Sequence, residues 1–261
     1  MRAPPGCLSL RSGRGIMPLD AAGAAAGSCR VTLLGEPKPE FSLVVENYLQ
    51  AIYKLSERGD RAFPTRLAEA MNVSVATTVG MVKRLVRQGL VKVGEDKEIF
   101  LIPKGRELAE SVVRRHRLAE RMLTDLLGVE WYKAHEEAHR FEHAISPQVE
   151  EKLAQRLGFP KTCPFGYPIP GCGLEPGAPP TRALSRAAPG EDVVIAQVPE
   201  EDAQLLEFFD SAGLRPGVAM KIKELAGYKG TITVVVNGRD VVLGTEVAAR
   251  VLVTAAGNGA D

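Results

Sequence analysis

Residues 64–102 read PTRLAEAMNVSVATTVGMVKRLVRQGLVKVGEDKEIFLI. Pro64-Thr65 opens a short helix with Leu67, Ala68 and Met71 facing inward. Asn72-Val73-Ser74 interrupts it, and Ser74 is placed to cap a second helix through Val79, Val82, Leu85 and Val86 that stops before Gly89. Two helices joined by so short a turn form a helix-turn-helix. Leu90–Val93, the turn Gly94–Lys97 and Glu98–Ile102 then make a small hairpin, or wing. The DNA major groove admits one helix, whose N-terminal residues reach base edges. Ser74, Thr77 and Thr78 offer hydroxyls there, and Ala76 or the Thr methyls can meet thymine methyls. Lys83, Arg84, Arg87 and Lys92 are candidate phosphate contacts, with Lys97 at the wing tip. The competing reading is a winged helix used for protein contact.

Upstream, Leu43, Val44, Tyr48, Ala51, Ile52 and Leu55 repeat at helical spacing until Gly59. Residues 1–38 are rich in Ala, Gly, Pro, Arg and Ser without hydrophobic periodicity, and are expected to be a disordered tail. Translation starting at Met17 is an open alternative. The DNA-binding domain is thus set at 39–103.

Downstream, the spacing predicts a long helix from Gly105 to Leu127 carrying His116 and Glu120. A second, Glu130–Ile145, holds His135-Glu-Glu-Ala-His139-Arg-Phe-Glu142-His143. At about 100° of turn per residue, His135, His139 and His143 drift only about 80° around the helix, with Glu142 inside the same stripe. Every histidine of the chain belongs to one of these two clusters. Imidazole with carboxylate suits Fe, Mn, Zn, Co or Ni. The bland alternative is a solvated polar face. Ser146-Pro147 opens a further helix to Gly158. Leu126, Trp131, Phe141, Ile145 and Leu153 give this helical domain, 104–160, more apolar surface than a small core needs, which points to a homodimer. Residues 161–190, rich in Pro and Gly, read as a linker. Short strands follow over 191–255, with a helical turn or two at Ala203–Asp210, Asn237-Gly238 as a hairpin turn, and Val247–Val253 closing a small β-barrel.

With 45% apolar and 25% charged residues, the chain has the composition of a globular protein mainly of helices with a small β domain. The net charge of +1 excludes a global affinity for nucleic acid or membranes, so any such surface is local. No apolar run approaches ~18 residues. Cys7, Cys29, Cys163 and Cys172 contain no CxxC pair, which favours free thiols and a reducing cytoplasm.

Glu46-Asn-Tyr-Leu-Gln-Ala-Ile-Tyr53, Arg115-His-Arg-Leu-Ala-Glu-Arg121, the string from His135 to His143 and Pro164-Phe-Gly-Tyr-Pro-Ile-Pro-Gly171 resemble segments of the iron-dependent (diphtheria toxin) repressor family, which has a manganese-responsive branch. The resemblance implies an SH3-like C-terminal barrel and a metal-activated, dimeric repressor of metal homeostasis genes that binds operator DNA. It implies Mn(II) or Fe(II) at two sites per subunit. By motif position, Asn47, His139, Glu142 and His143 match the primary site. His116, Glu120 and His135, with Glu201 and Gln204 from the barrel domain, match the ancillary site. The chain departs from the pattern at Asn47 and His139, where iron-responsive relatives place Met and Cys, and at Asn47, Gln50 and His139, where manganese-responsive ones place Asp, Glu and Glu. The rival function is a metal-assisted hydrolase using the His/Glu helix, against which stands the winged helix, surplus to an enzyme.

Overall fold

The computed structural model describes residues 41–173 and 180–256. The expected tail, with Met17, Cys7 and Cys29, lies outside the described residues, as does part of the expected linker, 174–179.

The N-terminal unit contains α1 (Leu43–Glu57), α2 (Pro64–Ala70) and α3 (Val75–Arg87), then β1 (Val91–Val93) paired antiparallel with β2 (Ile99–Leu101). Gly59, at φ 76°, ends α1 as expected, and the Ser74 side chain caps α3 by accepting from the Thr77 N–H. Val45, Tyr48, Leu49, Ile52, Leu67, Val82, Leu85, Leu90 and Ile99 form its core. Val79 and Val86, expected to continue the apolar run of α3, are exposed on its far side. Arg61 ties the wing by bonding Asp96 and Glu98.

The expected long helix is α4 (Pro103–Arg121), which widens into a π-helical turn at Met122–Leu126 before Gly128 reverses the chain at φ 68°. The expected Glu130–Ile145 helix is shorter: a 3-10 turn at Trp131–Lys133, then α5 (Ala134–Phe141). Glu142 and His143 lie just past its end. Ser146 caps α6 (Pro147–Arg156) by accepting from the Val149 N–H.

The six strands of the C-terminal sheet pair antiparallel in the order β3-β8-β4-β5-β6-β7. They are β3 (Arg182–Ala183), β4 (Asp192–Gln197), β5 (Ala219–Ala226), β6 (Thr231–Val236), β7 (Arg239–Gly244) and β8 (Leu252–Ala255). The helix α7 (Ala203–Ala212) follows β4, and α8 (Thr245–Arg250) follows β7. The expected closing strand Val247–Val253 is therefore half helix. Asn237 and Gly238, at φ 50° and 75°, make the β6–β7 turn, where two successive positive-φ positions match the strand twist.

The linker reading needs correction over 161–173. Cys163 to Tyr167 are buried without a break, Ile169 is buried too, and Thr162 bridges Pro168. These residues join Leu118, Trp131, Leu206, Phe209 and the inner face of the sheet in one core. An apolar interface thus fastens the barrel domain to the helical domain. Gly166 makes it possible. It sits at φ 92°, and a Cβ there would lie 1.9 Å from the Ala196 carbonyl oxygen. Gly166→Ala is expected to lower stability by roughly 1–3 kcal/mol through strain and overpacking, as read by urea denaturation. Wild-type stability in that variant contradicts the close approach.

Candidate metal centre and nucleic-acid interface

His116 is the hub of the buried polar cluster. One turn of α4 places Glu120 beside it, and α5 brings His135 across. His116 Nε2 lies 2.9 Å from Glu120 Oε1 and 3.1 Å from His135 Nδ1, and His135 Nδ1 lies 2.7 Å from Glu120 Oε1. Ligands about 2.1 Å from one ion at right angles stand about 3 Å apart, so these three atoms already have the spacing of one face of a coordination shell. Glu200, in the loop before α7, adds a carboxylate oxygen within 4.8 Å of the Glu120 and His135 ligand atoms. Glu120 Oε2 and Glu200 Oε2 are buried without a hydrogen-bond partner, and Glu200 Oε1 meets the Lys54 ammonium at 2.9 Å.

A second set stands next to it. His143 Nε2 is 2.9 Å from Asn47 Oδ1 of α1 and 3.1 Å from Glu142 Oε1, and His139 Nδ1 is 3.4 Å from the same Glu142 oxygen. His143 Nδ1 lies 2.8 Å from Glu46 Oε2, and Gln50 Nε2 donates to Glu142 Oε2 at 3.1 Å. The His116 Nδ1–Glu142 Oε2 contact of 2.6 Å links the two sets. Burial works to raise the Glu142 carboxyl, but hydrogen bonds from His116, His139 and His143 outweigh it and hold the group below its ordinary value. The same bond from Glu142, with that from Glu46, lifts His143 to about 9. Burial also opposes ionisation of Glu120, and His116 and His135 keep it ionised.

Two expected ligands are not brought to the cluster. Glu201 is exposed and pairs with Arg58, and Gln204 is exposed on the first turn of α7. Glu200, one residue earlier, faces inward in their place. Glu46 and Gln50 were not expected as partners of His143 and Glu142. Their signal was their place on α1, flanking Asn47 and one turn apart.

On α3, Ala76, Thr77, Lys83, Arg84 and Arg87 are exposed, as is Lys97 in the wing at φ 69°. Ser74 is exposed but spends its oxygen on the cap, 3.1 Å from the Thr77 N–H, and stands 2.8 Å from the Thr77 hydroxyl. Thr78 does not face a groove. It is fully buried, with its hydroxyl 3.3 Å from the Tyr48 hydroxyl of α1.

Three family models match: the iron-dependent repressor N-terminal DNA-binding domain over 40–99, its metal-binding and dimerisation domain over 102–171, and a FeoA domain over 182–255. The chain is 38% identical over 207 residues to the iron-dependent repressor IdeR of Mycobacterium tuberculosis, covering 75% of this chain and 89% of that one. The chain belongs to the iron-dependent repressor family. The repressor is also 38% identical over 209 residues to the diphtheria toxin repressor of Corynebacterium diphtheriae, covering 76% of this chain and 91% of the relative. A manganese-dependent transcriptional repressor in complex with manganese superposes with a TM-score of 0.75 at 32% identity, over 81% of the repressor and all of that chain. ScaR with bound Zn2+ gives 0.70 at 27% identity, over 81% and 99%. The chain is a metal-dependent, DNA-binding transcriptional repressor, a regulator by family and relatives rather than an enzyme. Its SH3-like sheet domain is the matched FeoA unit. Among the described residues no helix is long and apolar enough to cross a membrane.

Proposed function

We propose that the repressor binds operator duplexes as a cytoplasmic homodimer, in front of metal homeostasis genes, when Mn(II) or Fe(II) occupies two sites in each subunit. The first is held by Asn47, His139, Glu142 and His143. The second is held by His116, Glu120 and His135, with Glu200 as the barrel domain's donor. The observation that carries this reading is two donor sets at ligand spacing, one of them split between α1 of the DNA-binding domain and the end of α5. Hard oxygens mixed with imidazoles fit Mn(II) or Fe(II), and the buried, unpartnered Glu120 Oε2 and Glu200 Oε2 fit a divalent cation.

A bound divalent ion supplies the positive charge on which these donors converge. The repressor's own residues set the geometry. Glu46 accepts from His143 Nδ1, so that Nε2, turned to Asn47 and Glu142, is the nitrogen that would hold the ion once it gives up its proton, and Gln50 orients Glu142. His116 Nδ1 donates to Glu142 while its Nε2 faces Glu120, so each set orders the other. Holding Asn47 restrains α1, and α1 holds α3 through Tyr48 and Thr78. The angle of the exposed α3 face is thereby fixed. Metal and duplex then favour the same state and strengthen each other. Leu126, Leu127, Phe141 and Val149 remain exposed on the helical domain, the kind of surface a second subunit covers.

The test uses duplexes selected from a random-sequence pool with Mn(II) present. Chelation should abolish specific binding and Mn(II) should restore it; binding indifferent to chelator contradicts the reading. Arg84→Ala should weaken every duplex alike and reduce the salt slope by about one unit, as loss of a phosphate contact requires. An unchanged slope removes Arg84 from the interface.

A further inference from the structure

Glu200 is a buried carboxylate with an unusual set of neighbours. It is 1% exposed; Oε2 has no hydrogen-bond partner, and Oε1 has only the cations that stand against it. Burying an ion in this way is costly unless an opposite charge stands close. That charge is Lys54, near the C-terminal end of α1, whose Nζ lies 2.9 Å from Glu200 Oε1. Arg58 stands further off at 3.7 Å and is committed mainly to Glu201. On its other side Glu200 meets Glu120 and His135. One carboxylate is therefore shared by a lysine of the DNA-binding domain and by the donor set of the second site.

We propose that Lys54 is the resident counter-cation of the second metal site and sets its affinity, Glu200 serving either as the partner of Lys54 or as a ligand. This rests on the second-site reading above. A divalent ion among Glu120, His135 and Glu200 and an ammonium at ion-pair distance from Glu200 repel each other, the more so where water is excluded. Filling the site therefore breaks the α1–barrel salt bridge. The apparent affinity is reduced by the fraction of molecules in which Lys54 holds Glu200. Lys54 so makes the second site weaker than its donors alone dictate, and ties its occupancy to the freedom of α1.

The experiment is Mn(II) calorimetry on the full chain after chelation. Lys54→Met keeps the aliphatic stem and removes the charge. The second ion should then bind about tenfold tighter or more, with the first within about twofold of wild type. Lys54→Arg should stay within about threefold of wild type, because it keeps the charge. In the unmutated repressor, reductive methylation of Lys54, followed by mass spectrometry, should rise severalfold once two equivalents of Mn(II) are bound. That labelling decides the matter if Lys54→Met does not fold. Unchanged or weakened second-ion binding in folded Lys54→Met overturns the proposal, as does labelling indifferent to Mn(II). If the wild type takes one ion only, or if Glu120→Gln leaves the second affinity unaltered, the second-site reading falls and the role of Lys54 with it. A second ion that depends on Glu120 but not on Lys54 overturns this inference alone.

Discussion

Glu142→Gln is expected to lower the affinity for the first ion by about 100-fold or more and to abolish metal-dependent duplex binding. Loss of partners beyond the ligands already costs metal sites about 10–100-fold, and Glu142 is itself a proposed ligand. The side chain is 1% exposed and meets His116, His139, His143 and Gln50. Glutamine preserves the shape and an oxygen for the His116 N–H, but removes the negative charge that faces three imidazoles. The second site should weaken too, since His116 loses the anion that orients its ring. Mn(II) calorimetry and anisotropy with selected duplex measure both effects. First-ion affinity within about threefold of wild type would remove Glu142 from the ligand set, since a lost anionic ligand costs far more.

The second large effect is structural. Arg117→Leu should destabilise the metal-free protein by about 3–5 kcal/mol, the range for breaking a buried ion pair from one side. Arg117 is fully buried on α4. It bonds both carboxylate oxygens of Glu57 at the end of α1, one at 2.9 Å, and the Pro168 carbonyl, and lies 5.3 Å from the centre of the Tyr167 ring. One guanidinium thus clasps the DNA-binding domain, α4 and the buried Phe165–Ile169 segment. Urea denaturation followed through Trp131, the single tryptophan, reads the loss. Adding Glu57→Leu should recover part of it, because the stranded charge goes as well. A loss under about 1 kcal/mol is the range of an exposed pair and contradicts this role.

The residues themselves show why some of this is legible in a sequence and some is not. Ser74, Asn237-Gly238 and the histidine spacing act locally: a cap, a turn and a helix face need only their neighbours. Thr78 reads as a groove hydroxyl if the eye stops at its chemistry. Its spacing from Val82 and Leu85, four and seven residues on, already puts it on the buried face of α3. The segment from Cys163 to Ile169 reads as linker by its prolines, yet Cys163, Phe165, Tyr167 and Ile169 carry the apolar surface that seats it in the core. Glu200 and Glu201 differ in nothing local. Which one turns inward depends on how the barrel seats on α1 and on the Lys54 and Arg58 it finds there, and that is tertiary information. Likewise Glu46 and Gln50 gain their roles from α5, nearly 100 residues away in the chain.

In the proposed mechanism one ion-dependent state of α1 serves both the metal and the duplex. Thermodynamic linkage tests it most directly. The affinity for selected duplex is measured with and without Mn(II), and the affinity for Mn(II) with and without duplex, at one salt concentration. Each ligand should tighten the other by the same factor, about tenfold or more for a coupling of this kind. Mn(II) that binds equally well to free and duplex-bound repressor would contradict it.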